Sequence, residues 1–252
     1  NTYSFLPAFL LCLMTMFPLL YGCAKGGNSE TLPVQPGNRI IQFAGYDWEV
    51  RSNETTLKGP GPNYFSDGDQ NVWVDDLGRL HLKITQKNGN WYAAGIVLKK
   101  VYGYGRYIFQ IESPASSLDK NVVGAVFLYK NDNQEIDVEL SRWGLENNEN
   151  TQYVIQPGDK TGNKKRFNCL EVSKPSVQVI DWQKDQVNFA TYKGNIDDTA
   201  KSGNMITSWS YMGLDFPTDW DLRVRINLWL FKGIEPSNGK EQELIISGFK
   251  IQ

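Results

Sequence analysis

From Tyr46 onward, apolar and polar positions alternate in short runs. YDWEV from Tyr46, LHLKIT from Leu80, RYIFQIES from Arg106 and VVGAVFLY from Val122 are rich in Val, Ile, Tyr, Phe and Trp. QYVIQ from Gln152, VQVIDW from Val177, QVNFATY from Gln186, LRVRINLWLF from Leu222 and ELIISGFKI from Glu243 continue the pattern. Gly, Pro, Asn and Asp break the chain between them. Period-two runs bounded by turn residues predict an all-β sandwich or barrel. No long segment carries the 3.6-residue stripe of an amphipathic helix. With no internal repeat and no second linker, residues 39–252 are expected to form one domain.

The N-terminal pattern differs. FLPAFLLCLMTMFPLL, Phe5 to Leu20, is an uncharged apolar run interrupted by Pro, followed by LYGC and AKGGNSETLPVQPGN. This is the layout of a secretory apolar region, a cleavage site and a linker. Residues 1–22 are expected to be a signal peptide and 23–38 a flexible linker. With no initial Met and no Lys or Arg ahead of the apolar run, a few residues are expected to precede Asn1. LYGC resembles a bacterial lipoprotein box, in which Cys23 would be lipidated, although Tyr21 is bulkier than the motif usually carries. The other reading is an ordinary signal peptide with an incidental Cys. Either way the expectation is an exported bacterial protein, secreted or held at the cell envelope, touching a membrane only through such an anchor.

One run stands apart. NQEIDVELSRWG, Asn133 to Gly144, sets Glu135, Asp137 and Glu139 at alternate positions between Ile136, Val138 and Leu140. On a strand the apolar set enters the core and the acids share the opposite face. A solvated outer face is the ordinary use of such alternation. Three like charges in a row are costly, however: at roughly 6 Å and an effective dielectric near 20, each pair repels by about 2.8 kcal/mol before screening. A site that needs one carboxylate ionised and another protonated near neutral pH gains from that arrangement. Residues i and i+4 have Cα atoms about 13 Å apart on a strand. Two Glu side chains leaning together can approach the roughly 5–5.5 Å separation of a retaining glycosidase.

Composition narrows the alternatives. The net charge is −2 with no basic cluster, which argues against nucleic acid as a partner. Eight Trp and twelve Tyr suit a β core, and they equally suit sugar stacking. Beyond Cys12 and Cys23 only Cys169 remains, so neither a disulfide nor a Cys/His zinc site is expected in the mature domain. His81, the only histidine, sits in LHLKIT and reads as a strand residue on a polar face. No G-x-S-x-G accompanies it, which argues against triad hydrolysis. GYGR at Gly103 leads into a strand and lacks the helix N-terminus that a phosphate loop requires. GDKTGNKK at Gly158 reads as a polar turn, and SDGDQN at Ser66 as a turn without calcium-loop spacing.

EIDVE is similar to the E-x-D-x-E signature of glycoside hydrolase family 16, and the likeness extends along most of the expected mature chain. FAGYDWEV resembles the family's opening strand, and YGYGRYIFQIES the segment before its catalytic strand. VIDWQKDQVNFATYKG resembles its W-x-x-x-x-I-x-F-Y-x-D-G hairpin, with Lys193 where Asp is frequent. RINLWLFKG with Pro236 and ELIISGFKI resembles its N-L-W and closing strands. The resemblance implies a concanavalin A-like β-jelly roll, a sandwich of two curved antiparallel sheets with a substrate cleft on the concave face. It implies Glu135 as nucleophile, Glu139 as general acid/base and Asp137 as the assisting acid. Asn227 and Trp229 match cleft-lining N-L-W positions. Trp143 and Tyr153 are further substrate-binding candidates, with a core role open for each aromatic residue.

The implied activity is endo-acting, retaining hydrolysis of a β-linked polysaccharide, with β-glucan as the expected class. A non-catalytic carbohydrate-binding sandwich and a transglycosylase using the same residues are the alternatives. Lichenases often carry Trp two residues before the first Glu, where this chain has Asn133, so mixed-linkage specificity is in doubt. No cofactor and no catalytic metal is expected. Relatives bind structural calcium on the convex side, at a position this sequence does not mark. A monomer is expected, with polysaccharide as its partner.

Overall fold

The computed structural model describes residues 39–169, 175–197 and 202–252. The expected signal peptide, the linker 23–38 and the lipidation site Cys23 lie outside these residues.

Strands dominate the described chain. They are β1 (Ile40–Phe43), β2 (Tyr46–Val50), β3 (Tyr64–Phe65), β4 (Val72–Val74), β5 (Leu80–Lys87), β6 (Asn90–Leu98), β7 (Gly105–Ile111) and β8 (Val122–Asn131). After these come β9 (Gln134–Leu140), β10 (Thr151–Ile155), β11 (Lys164–Phe167), β12 (Ser176–Trp182), β13 (Val187–Lys193), β14 (Met205–Tyr211), β15 (Arg223–Leu230) and β16 (Gln242–Ile251). Each alternating run from Tyr46 onward falls mainly within one of these strands. β6 escapes simple pattern reading, because NWYAAGIVL is buried almost continuously and carries Ala93, Ala94 and Gly95, weak strand formers. GDKTGNKK begins as a turn, but its last two residues, Lys164 and Lys165, enter β11.

The hydrogen-bonded order is β11-β10-β9-β8-β15-β6-β5-β16-β7-β12-β13-β14. Neighbours along this path pair antiparallel, and β3 joins β6 in parallel at the side. The β5–β6 hairpin is the fold line: β6 belongs to one half with β15, β8, β9 and β10, and β5 to the other with β16, β7 and β12. The two sheets of the jelly roll are therefore continuous through this hairpin. The fold is an all-β jelly roll of curved antiparallel sheet.

The core lies between the halves. From one side come Ile136, Val138 and Leu140 of β9, Val126 and Leu128 of β8, and Ile226 and Leu228 of β15, all fully buried. From the other come Tyr107, Phe109, Ile180, Trp182, Phe189 and Leu244. Each such aliphatic side chain is worth about 1.5–3 kcal/mol when buried. That anchoring makes the register of β9 non-negotiable, because a slip of one residue would drive three carboxylates into the apolar layer.

Candidate active site

Period two along β9 places Glu135, Asp137 and Glu139 on the face away from the core. Register extends that face across neighbouring strands. Glu135 lies opposite Tyr129, Asp137 opposite Phe127 and Glu139 opposite Ala125 on β8. Phe127 is in turn opposite Arg225 on β15, and Ala125 opposite Asn227. On the other flank Glu139 pairs with Gln152 and Asp137 with Val154 of β10.

Two adjoining cavities lie over this surface, of about 630 Å³ and about 510 Å³. Both are lined by Glu135, Glu139, Pro60 and Trp229, so the acids stand where the cavities meet. The result is a groove that continues to either side of the carboxylates.

Each acid has a defined partner. Gln152 Nε2 donates to Glu139 Oε2 at 2.7 Å, and Arg166 Nη1 donates to Gln152 Oε1 at 2.6 Å. Gln156 Nε2 donates to Asp137 Oδ2 at 2.9 Å. The Asp137 and Glu135 side chains are hydrogen-bonded to each other. Burial pushes Glu135 up to about 8, and the charges of Glu139 and Asp132 add to this; the bond with Asp137 and the charge of Arg225 pull it back. Asp137 is raised well above the usual carboxylate range, by burial first and then by its two Glu neighbours. Burial raises Glu139 to about 6, against the Gln152 hydrogen bond and the charges of Lys164 and Arg166. Burial thus favours the protonated form at all three carboxyls, and their mutual repulsion adds to this at Glu135 and Asp137.

The expected site residues divide by position. Glu135, Asp137, Glu139, Asn227 and Trp229 line one cavity together. Trp229 is 6% exposed and also packs on Phe65, Ala93 and Val123, so it serves the wall and the groove at once. Trp143 lines the second cavity, though not by strand parity. β9 ends at Leu140, and left-handed backbone at Trp143 (φ 53°) and Gly144 (φ 79°) turns the chain back. The indole then meets Trp229 edge-on at 6.1 Å and Phe231 at 5.2 Å.

Tyr153 is a correction. It lies opposite Val138, on the core side of β10, and is fully buried. Its hydroxyl is 2.6 Å from Thr191 Oγ1, and its ring stacks on Phe189 at 4.8 Å. Its neighbour Gln152 holds the groove-facing place instead. His81 lines neither cavity. It faces away from the core as expected, but it is 8% exposed, wedged between Glu243 (2.8 Å) and Asp75 (3.1 Å) with its ring stacked on Trp73.

Sequence reasoning missed Arg51, Arg225, Gln152, Gln156 and Gly95. Gly95 had a readable signal, since glycine inside a strand marks a close approach. A Cβ at Gly95 would stand 2.3 Å from Asn227 Oδ1 and 2.9 Å from Arg51 Cδ. Among the described residues no group of three or more His, Cys, Asp or Glu is placed to hold a metal ion.

The chain thus forms a β-jelly roll with a groove over its acidic strand. No protein-family model matches the sequence, and no curated protein matches it. Solved structures do. The fold is similar to a β-glucanase from Bacillus licheniformis, with TM-score 0.57 and 18% identity over 84% of this chain and 95% of that one. It is also similar to a family 16 glycosyl hydrolase from Mycobacterium smegmatis, with TM-score 0.61 and 16% identity over 81% of this chain and 91% of that one. A third is described as an immunostimulatory antigen and pseudo β-1,3-glucanase of Mycobacterium tuberculosis, with TM-score 0.61, 18% identity, and 81% and 90% coverage. The likeness at this identity is one of fold.

Proposed function

We propose that the protein is an endo-acting, retaining glycoside hydrolase of β-linked polysaccharides, with β-glucans as the backbone class that the named structural neighbours suggest. The observation that carries this reading is the position of Glu135 and Glu139 where the two halves of an open groove meet. A chain can pass through such a groove and be cut internally.

In this reading Glu135 attacks the anomeric carbon while Glu139 protonates the departing oxygen. Glu139 then takes a proton from water, which hydrolyses the glycosyl-enzyme ester. The step needs Glu135 ionised, and Asp137 and Glu139 protonated. Burial favours the protonated forms of Asp137 and Glu139 that this step requires. The Asp137 hydrogen bond and the Arg225 charge favour the ionised form of Glu135. Asn227, Trp229 and Trp143 are assigned to sugar binding. Export with Cys23 as lipidated N-terminus, and a monomeric state, belong to the same proposal.

The test is incubation of residues 39–252 with a panel of β-glucans and β-galactans while product anomers are followed by NMR. Retained configuration in the first products is expected, and inverted first products would sink the mechanism. Burial of Glu135, which favours its protonated form, lends weight to a second reading: a groove that binds sugar without cutting it. Binding without turnover, unchanged by Glu135→Gln, would establish that alternative.

A further inference from the structure

The groove that holds the acids also holds two arginines that make no direct ion pair among the described residues. Arg51 and Arg225 line the 630 Å³ cavity together with Glu135 and Asn227. Several other arginines are ion-paired, Arg79 with Asp75 at 2.7 Å, Arg142 with Glu146 at 2.9 Å and Arg223 with Glu49 at 3.0 Å, whereas Arg166 of the second cavity bonds to Gln152 Oε1 and backbone carbonyls. Among the described residues, neither Arg51 nor Arg225 makes an ion pair within 4.0 Å. Arg51 spends one bond on the Gly59 carbonyl at 2.8 Å, while its Nη1 and Arg225 Nε are buried with no hydrogen-bond partner among the described residues.

Their planes are nevertheless held. The Arg51 guanidinium lies 3.7 Å over the Phe65 ring, and that of Arg225 lies 4.1 Å over Tyr129. Ring stacking occupies the flat face of a guanidinium and leaves its N–H edge available. Gly95 makes room for this arrangement, since a side chain there would collide with both Arg51 and Asn227. Asn227 itself is fully buried, and neither of its amide atoms has a partner among the described residues. Two desolvated like charges beside an unpartnered amide cost free energy unless a bound group answers them.

We propose that Arg51 and Arg225 form an anion subsite beside Glu135, so that the sugar seated there carries a carboxylate or a sulfate ester. The inference rests on the glycosidase reading and narrows its substrate to an acidic β-linked polysaccharide. Both anions accept the parallel N–H pair of a guanidinium, which a hydroxyl of a neutral glucan does not match. Burial, and next the charge of Arg225, push Arg51 down to about 10, consistent with a pair of cations held close in a poorly solvated wall. Arg225 also favours ionisation of Glu135. The test must therefore separate charge recognition from a general effect on turnover.

Matched polymers do so: a β-glucan, the same glucan oxidised to carboxylate at C6, its sulfated form, and a β-galactan with and without sulfate. Initial rates are measured for the wild type, Arg51→Gln, Arg225→Gln and Arg225→Lys. At least one charged polymer should exceed its neutral parent tenfold or more in kcat/KM, and the preferred anion identifies carboxylate or sulfate. That ratio should fall at least tenfold in either Gln variant, be partly kept in Arg225→Lys, and shrink as NaCl is added. Neutral polymers cut as well as charged ones would overturn the subsite and leave the hydrolase standing. An unchanged charged-to-neutral ratio in the Gln variants would overturn it too. If no polymer is cut, affinity electrophoresis of Glu135→Gln with the same set decides. Retardation by a charged polymer that is lost on adding Arg225→Gln would support the subsite and defeat the hydrolase reading, and no charge-dependent retardation would overturn both.

Discussion

Gln152 stands directly opposite Glu139 on the neighbouring strand and donates to its Oε2 at 2.7 Å. The bond favours the charged carboxylate, in opposition to burial, which raises Glu139 to about 6. Gln152→Leu removes the donor, so the pKa of Glu139 should rise further. For a general acid, the alkaline limb of the kcat/KM profile then moves to higher pH, by about one unit for roughly 1.4 kcal/mol of lost bonding. A pH–rate profile of the variant against the wild type checks it, and an unmoved limb would remove Glu139 from that role.

Glu135→Gln should abolish hydrolysis, by about 10³-fold or more, which corresponds to roughly 4 kcal/mol of barrier. It should also stabilise the fold. Burial raises Glu135 in the folded state to about 8, above the ordinary 4.5 of a free glutamate, so the native state binds the extra proton between these values. The wild type therefore loses stability as pH rises through that window. Thermal unfolding should give nearly equal midpoints at pH 4, and a variant more stable by a few degrees at pH 9. A gap that widens toward low pH would contradict the assignment.

Gly95→Ala places a methyl group 2.3 Å from Asn227 Oδ1. Asn227 is fully buried and has little room to yield, so an overpacking cost of about 1–3 kcal/mol is expected in urea unfolding. Asn227 and Arg51 must both shift, and kcat/KM should fall along with stability. Full activity in a destabilised variant would mean that neither side chain contributes to turnover.

Tyr153→Phe separates core from groove. It removes the hydroxyl that lies 2.6 Å from Thr191 Oγ1, in a fully buried setting. A loss of about 0.5–1.5 kcal/mol of stability is expected, with KM unchanged. Trp143→Ala should do the reverse, raising KM for long oligosaccharides several-fold, because its ring borders the second cavity. Isothermal titration with the Glu135→Gln background measures the binding part directly.

The difference between Tyr153 and Gln152 shows what can be read from a chain alone. Both sit in an apolar-looking run, QYVIQ, whose alternation is too weak to say which parity faces inward. Pairing decides it: Tyr153 meets Val138 and Gln152 meets Glu139, so the partner strand's burial is imposed on β10. Trp143 needed more still, since its approach to the groove depends on two left-handed residues after the strand has ended.

The amino-acid order of β9 determined its own two faces. Three aliphatic side chains seek the core, and the fixed period of a strand then sends Glu135, Asp137 and Glu139 to the opposite side together. The same local rule marked the other strands and so the all-β class. It could not bring Arg51 and Arg225 to the acids, because those residues lie 84 or more positions away along the chain and meet them only through β6, β8 and β15. Local periodicity fixes which way a side chain points from its own strand. Long-range strand pairing decides what it finds there, and in this protein that is a groove with acids at its centre and unpaired cations along one wall.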